Sequence, residues 1–487
     1  MSTSHPRVLI VRLPCKKVYP IGPIYLAGAL NHLVPAASLR LLDLALVEPK
    51  ERNVRLLKTI QEHRPDFVAF SWRDLQIFSP QDMDGAMRDA FTFFYDPSAA
   101  KKVRAASRGL DHILRYRSAI SENLSLIRET CRNFSNKGGV KGIALGGSSV
   151  RIFGDWLSKR LPSSVRMFPE SSLGRFYEFV GLPVPRNLVE PGLNLEALEV
   201  IFPEWRNYRE EQIGVQSKQG CPQTCLYCLY GFLEGREVRR RDPVRVIDEI
   251  EAYFRRWGAR WFWFSDAQLL SERKDADHLS AILEGLLRKG IDIRWSGYLR
   301  IDGLDPGLAD LMVRSGLCDL EVSLNSGSQI VLDRLRMGFS LQEVMKGFEI
   351  LKRAGYPGRV LVNLSVNSPG ETRETLMETI NVVRRIQGIF GEDRVVPVLF
   401  FLAIQPNTGL EKMALEEGRI KKGYDPLSPW PWDVHKLIYN PPPLGSLIGR
   451  CCALAFRRYN DKFGETILGS IENSIAPLPS SLPRETV

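Results

Sequence analysis

The chain has only six histidines in 487 residues, and no two of them stand at helical spacing. A separate histidine-based metal site is therefore not expected. No run of about 18 uninterrupted apolar residues occurs, so nothing reads as a membrane span. Low-complexity tracts and internal repeats are also lacking, which leaves no case for a solenoid or an array. Eight cysteines are unevenly spaced, unlike a secreted disulfide framework. The opening "MSTSHPRVLIVRLP" passes from a short polar arm straight into a strand, which reads as no signal peptide. These absences point to a reducing, cytoplasmic setting.

What is present is ordinary for a globular protein: 44% hydrophobic and 25% charged residues, enough chain for two or three domains. Net charge is +10, from 66 basic against 56 acidic residues. The basic residues are dispersed except for "REVRRRDPVR", Arg236–Arg245, and no helix-turn-helix or finger pattern accompanies it. A nucleic-acid partner is not expected, and the positive balance also suits a pocket for anionic cofactors.

The first block alternates apolar runs with amphipathic helices. "RVLIVRLP", "SLRLLDL", "PDFVAFSW" and "VKGIALGG" read as buried parallel strands, with helices at "IYLAGALNHLV", "RNVRLLKTIQEH" and "IFGDWLSKRL". That rhythm predicts an α/β, doubly wound (Rossmann-like) domain over residues 1–180, with a helical insertion at 75–137. Such sheets bind ligands at the carboxyl ends of their strands, here Leu13–Pro14, Asp43, Ser71–Trp72–Arg73 and Gly146–Gly147. A proline-marked linker, 181–211, precedes a second domain at 212–420. There "RWFWFSD", "DIRWSGYLRID", "CDLEVSLNSGS", "VLVNLSVNSPGE" and "VVPVLFFLAIQPNTG" read as strands of a full or partial (β/α) barrel. A small segment of proline-rich, aromatic and helical character, 421–487, closes the chain.

The chemistry lies in "QGCPQTCLYCLYG", where Cys221, Cys225 and Cys228 stand together. Thiolates are the usual ligands of iron–sulfur clusters, and three of them leave one iron of a cubane open to a small molecule. Zinc is the rival, completed by His278 or a fourth cysteine, and inert thiols are the plain alternative. No histidine or cysteine follows Cys228 within about forty residues, and the loop follows a strand of a βα repeat, which favours the cluster.

Cys-x3-Cys-x2-Cys with Tyr227 before the third cysteine resembles the signature of radical S-adenosylmethionine (radical SAM) enzymes. The resemblance runs to about Gly418 through "FWFSDAQLL", "LEVSLNSGSQIVLDRLRMGFSLQEVMKGFEILKRAG", "VNSPGETRETL" and "IQPNTGLEKMALEEG". It implies a [4Fe-4S] cluster on the three cysteines and S-adenosylmethionine contacts from Tyr227, Asp266, Arg300, Ser323 and Asn325. Relatives often carry glutamate at Asn325, where an amide supplies a hydrogen bond but no charge, and glycine at Asn407. The front domain resembles the cobalamin-binding domain of a large subgroup, through "PIGPIYLAGAL", "LLDL", "RPDFVAFS", "IALGGSS" and "FPESSLGRF". That resemblance implies cobalamin contacts from Pro14, Ser71, Trp72, Arg73, Gly146, Gly147 and Glu170. Asp-x-His-x-x-Gly is missing, so cobalt is expected without a histidine ligand. Arg73 or Trp72 would then weaken a lower water ligand, an arrangement similar to tryptophan C-methylases. The plain reading of Arg73 is a surface salt bridge with Asp74.

The implied function is methylation of an unactivated or aromatic carbon of a small-molecule or natural-product precursor. A non-methylating cyclisation, rearrangement or oxidation stays open, as does a corrinoid or iron–sulfur carrier without catalysis. The implied partners are a small-molecule substrate and an external electron donor such as flavodoxin or ferredoxin. The adjacent Cys451–Cys452 and Cys318 read as core residues. "WPWDVHKLIYNPPP" reads either as a cap over an apolar substrate or as a surface staple.

Overall fold

The computed structural model describes residues 5–73, 89, 92–135, 139–169, 173–185, 194–428, 431–457 and 463–475. The front sheet is built as its apolar runs predict, from β1 (Val8–Arg12), β2 (Leu39–Asp43), β3 (Phe67–Ser71) and β4 (Gly142–Gly146). A short β5 (Val165–Met167), which no apolar run announces, joins them in the order β2-β1-β3-β4-β5. Every pairing is parallel, so the strands all finish at one edge. Alternate residues serve two cores: Val8 and Ile10 face one, Leu9 and Val11 the other. Helices α1 (Ile21–Asn31) and α2 (Arg52–His63) are the first two crossovers.

The predicted insertion is partly an ordinary crossover. Helix α3 (Ala99–Thr130) is long, and its last turns carry Leu124, Leu126 and Ile127 onto the same sheet face as Val68, Phe70 and Leu145. Helix α4 (Ser148–Ser158) follows β4. The predicted linker differs more. Its described part holds helix α5 (Leu195–Ile201), which buries Leu195, Leu198 and Ile201, and a 3-10 turn at Pro203–Tyr208, which buries Trp205 and Tyr208. Trp205 stacks on Trp257 at 4.3 Å, and the Tyr208 hydroxyl donates to Asp43 at 2.6 Å beside the Arg12–Asp43 pair. The prolines therefore mark a structured seam, not a free tether, and one core continues across it.

The second sheet runs β14-β13-β12-β11-β10-β9-β6. Its parallel members are β6 (Ile213–Val215), β9 (Trp261–Phe264), β10 (Arg294–Tyr298), β11 (Leu317–Asn325), β12 (Arg359–Val366) and β13 (Val395–Ala403). Spatial order follows chain order, which is a partial barrel. Between β6 and β9 lies a two-stranded hairpin, β7 (Lys218–Gln219) with β8 (Arg239–Arg240). Along β11, Leu320, Val322 and Leu324 enter the core, so Glu321, Ser323 and Asn325 take the inner face. The tail adds β14 (Ile438–Tyr439) antiparallel to the end of β13, at the mouth of the barrel. There Phe94 lies 4.0 Å from the His435 ring, and Asn440 links Tyr95 to Asn367. The proline-rich tail thus sits over the strand ends as well as stapling a surface.

Candidate functional site

Lys218–Gln219 ends in Gly220, whose φ of +94° places a hypothetical Cβ 2.0 Å from the Glu237 carbonyl. Only glycine turns the chain there into the cysteine loop. The loop is pinned at several points. Cys221 N–H donates to Gly235, Leu226 N–H to Leu335, Leu410 N–H to Leu226, and Cys228 N–H to Cys225. Burial pushes the Cys225 thiol up to about 12, and the nearness of Cys228 and Cys221 adds to it. Burial raises Cys221 and Cys228 as well. Three crowded thiols become thiolates together only when metal ions carry the compensating charge, so this donor set fits an iron–sulfur cluster.

The zinc alternative loses its fourth ligand here. His278 is buried with its ring nitrogen 3.2 Å from the Ser217 carbonyl, and Cys318 donates to the Trp295 carbonyl. Among the described residues, no group of three or more His, Cys, Asp or Glu side chains is placed to hold a metal ion. A cubane does not demand such convergence, since each thiolate binds a separate iron.

The residues expected at S-adenosylmethionine divide into two kinds. Tyr227 and Asn325 come together: the Asn325 side chain lies beside the Tyr227 phenol, and Phe400 meets the same ring edge-on at 6.4 Å. Asn325 is fully buried at φ +66°, with Nδ2 donating to the Ser323 carbonyl, and its Oδ1 has no partner. A buried acceptor left open costs roughly 1–3 kcal/mol, which suits a ligand donor. Asp266 and Arg300 are committed to the chain instead. Asp266 accepts from Ser217 N–H, Ser217 Oγ and Lys218 N–H, at 2.7, 2.6 and 2.9 Å. Burial lifts that carboxyl to about 6. Arg300 pairs with Asp302 at 2.7 Å and donates to the Gly338 carbonyl at 2.9 Å.

Sequence reasoning passed over further open acceptors at the same mouth. Gln268 follows β9, Ser328 follows β11, Glu371 follows β12 and Gln405 follows β13, and each has a buried, unpartnered oxygen. Nothing in the local pattern marks them, because only the barrel closure brings the strand ends together.

At the front sheet, Ser71 pairs in register with Arg12 and with Gly146, so Pro14, Ser71, Trp72, Arg73, Gly146 and Gly147 share one edge. Trp72 N–H donates to Gly146 and Trp72 accepts from Ser149 N–H. Gly147 sits at φ +103°, where a Cβ would stand 2.5 Å from the Trp72 carbonyl. Asn123 of α3 reaches the Pro14 carbonyl at 3.5 Å and keeps its own Oδ1 unpartnered. Glu170 and Asp74 lie outside the described residues.

Arg73 is exposed, and its charge acts on two tyrosines of the other domain, Tyr230 just after the cysteine loop and Tyr298 at the end of β10. Burial first, then the Glu321 carboxylate, push Tyr298 up to about 12, and Arg73 opposes them. The helix after β4 also meets the segment after the cysteine loop, with the Arg151 guanidinium 5.3 Å over the Phe232 ring, so the two strand-end surfaces adjoin.

Comparison with known proteins defines the class. Residues 215–383 match the Radical SAM superfamily, so the chain carries a radical SAM domain. The chain is 24% identical over 172 residues to the uncharacterized methyltransferase PH0819 of Pyrococcus horikoshii, a stretch covering 35% of this chain and 36% of that protein. It is 25% identical over 202 residues to the anaerobic magnesium-protoporphyrin IX monomethyl ester cyclase of Rubrivivax gelatinosus, covering 39% and 35%. The match spans about a third of each of these two relatives. The fold extends further. TsrM, a radical S-adenosylmethionine methyltransferase of Kitasatospora setae solved with tryptophan and a SAM analog, superposes with TM-score 0.54 at 16% identity, covering 84% of this chain and 76% of that one. OxsB, a cobalamin-dependent radical enzyme solved with aqua-cobalamin and S-adenosylmethionine, gives TM-score 0.61 at 12% identity, covering 97% and 71%. The two-domain fold of this chain is the fold of those enzymes.

Proposed function

We propose that the chain is a cobalamin-dependent radical SAM methyltransferase, acting on an unactivated or aromatic carbon of a small-molecule or natural-product precursor. The observation that carries this reading is the contact between the two strand-end surfaces, where the Arg151 guanidinium stands 5.3 Å over the Phe232 ring. Methyl transfer between two cofactors and a substrate needs one chamber, and that contact supports such an arrangement. When bound, the cluster supplies reductive activation of the sulfonium and the corrinoid supplies the methyl carrier.

The chain's own groups hold and orient. Cys221, Cys225 and Cys228 provide the thiolates. Asn325 Oδ1 accepts from a ribose hydroxyl, with Tyr227 and Ser323 beside it. Asp266 and Arg300 act as positioning residues, one fixing the Ser217–Lys218 corner and the other the Met337–Gly338 turn. Pro14, Ser71, Trp72, Arg73, Gly146 and Gly147 would hold the corrinoid, and the Arg73 charge would disfavour further positive charge on a bound cobalt. The similarity to TsrM and PH0819 supports methyl transfer. The similarity to a cyclase gives the second reading, a non-methylating cyclisation on the same cofactors.

Anaerobic reconstitution with iron, sulfide and cobalamin, then S-adenosylmethionine, reductant and candidate substrate, separates the readings. 5′-Deoxyadenosine with S-adenosylhomocysteine supports the radical methylase. S-adenosylhomocysteine alone supports polar transfer, and 5′-deoxyadenosine alone supports the cyclisation. Neither product leaves a carrier protein and overturns the proposal.

A further inference from the structure

We infer that the face around Gln223 is the docking surface for an acidic one-electron donor protein. The inference rests on the function proposed above, because a cluster that must be reduced needs such a partner. Gln223 lies between Cys221 and Cys225 and is the hub of this face. Its carbonyl accepts from Arg236 at 2.6 Å, and its Nε2 donates to the Ser271 carbonyl at 2.8 Å. Its Oε1 lies against Gly338, where a Cβ would stand 3.1 Å away. Thr224 beside it is exposed, so the cysteine loop reaches solvent one residue before Cys225.

The segments that meet the cysteine loop, at Gln223 and at Leu226, carry exposed cations. These are Arg236 and Arg239 on the hairpin, Arg273 and Lys274 opening the helix Arg273–Arg288, and Arg334 and Arg336 flanking Leu335. Among the described residues, none of the six is in an ion pair, whereas Arg240 and Arg241 of the same basic stretch turn to Glu272, Asp275 and Glu249. Opposing them are the exposed carboxylates Glu237 and Asp333. The one dense basic run of the sequence thus splits into ion-paired residues and an outward array beside the cluster loop. At physiological ionic strength its field extends about 8 Å, so only a protein seated on this face feels it fully. An acidic surface does, and steering raises its association rate.

In the transfer, the reduced carrier gives up one electron and the cluster takes it, with no bond made or broken. A nucleic acid is the rival occupant. Base stacking needs exposed rings, and among the described residues the one strongly exposed aromatic is Trp261, at the opposite, amino end of β9.

The test uses anaerobically reconstituted protein, an acidic flavodoxin in its hydroquinone state, and a tRNA transcript. The variant R239E/R273E/K274E is compared with K352E/R353E, a charge reversal at the far end of the helix Leu341–Arg353. We expect the first variant to weaken flavodoxin binding at least tenfold and to slow flavodoxin-driven cluster reduction similarly. Reduction by dithionite should be unchanged, and the control variant should match wild type. Equal flavodoxin affinity in wild type and variant overturns the inference. So does tRNA binding that the variant abolishes while flavodoxin binding persists. A wild-type protein that dithionite cannot reduce sinks the proposed function instead, and the binding measurement still reports on the face.

Discussion

Asn325 offers the most exacting test of the barrel mouth. It sits at φ +66°, a conformation that asparagine and glycine tolerate and that costs other residues about 1–2 kcal/mol. Its Nδ2 bond to the Ser323 carbonyl is 3.1 Å and contributes about 0.5–1.5 kcal/mol, while its open Oδ1 costs the free fold about 1–3 kcal/mol. Asn325→Ala and Asn325→Gly lose the same hydrogen bond and relieve the same open acceptor, so Asn325→Ala should be the less stable of the two by about 1–2 kcal/mol. The two substitutions remove the same open acceptor. If that acceptor serves S-adenosylmethionine, both should weaken its binding alike, by about 3- to 12-fold for one hydrogen bond. The measurements are denaturant melts for stability and anaerobic titration calorimetry for affinity. Unchanged affinity in both variants, or affinity that tracks stability instead of the missing oxygen, would refute the reasoning.

Other substitutions follow from the same geometry. Gly147→Val puts a branched side chain against the Trp72 carbonyl, where even a Cβ stands at 2.5 Å, so cobalamin uptake read by the visible spectrum should fall sharply while iron content holds. Lys218 is buried between Ser271 and Asp275; Lys218→Met leaves Asp275, among the described residues, with Arg240 as its remaining ion-pair partner and should cost about 3–5 kcal/mol, with poorer cluster loading. Burial raises the Glu371 carboxyl from 4.5 to about 8, so the folded state holds a proton that the unfolded state releases. Its contribution is therefore complete below about pH 4.5 and is lost as pH rises towards 8, amounting to a few kcal/mol. Glu371→Gln should flatten that slope in melts between pH 5 and 8, and an unchanged slope would count against it.

Much of the fold can be read along the chain because parallel strands buried on both faces appear as apolar runs. "RVLIVR" and "VVPVLFFLA" needed no tertiary information. The short pieces were not legible: β5 has three residues, and the β7–β8 hairpin is two against two, too brief for any period. The prolines of 181–211 mark a linker in the sequence, but they do not announce that Trp205 and Tyr208 within it are buried side chains. The cysteine loop was visible because ligand spacing is local. Asp266 looked like a ligand contact, but its oxygens are used by Ser217 and Lys218 across 48 and 49 residues of chain. The meeting of Arg151 with Phe232, and the open oxygens of Gln268 and Gln405, are tertiary facts that no local pattern encodes. Cys451 and Cys452 proved buried on one helix, as core residues should be.

The central claim is tested most directly by electron paramagnetic resonance on the anaerobically reconstituted, dithionite-reduced protein, with metal analysis beside it. The account predicts about four irons per chain and a cubane signal that shifts when S-adenosylmethionine is added. It also predicts that Cys225→Ala abolishes the signal. Zinc in place of iron, or a cubane spectrum indifferent to S-adenosylmethionine, would contradict it.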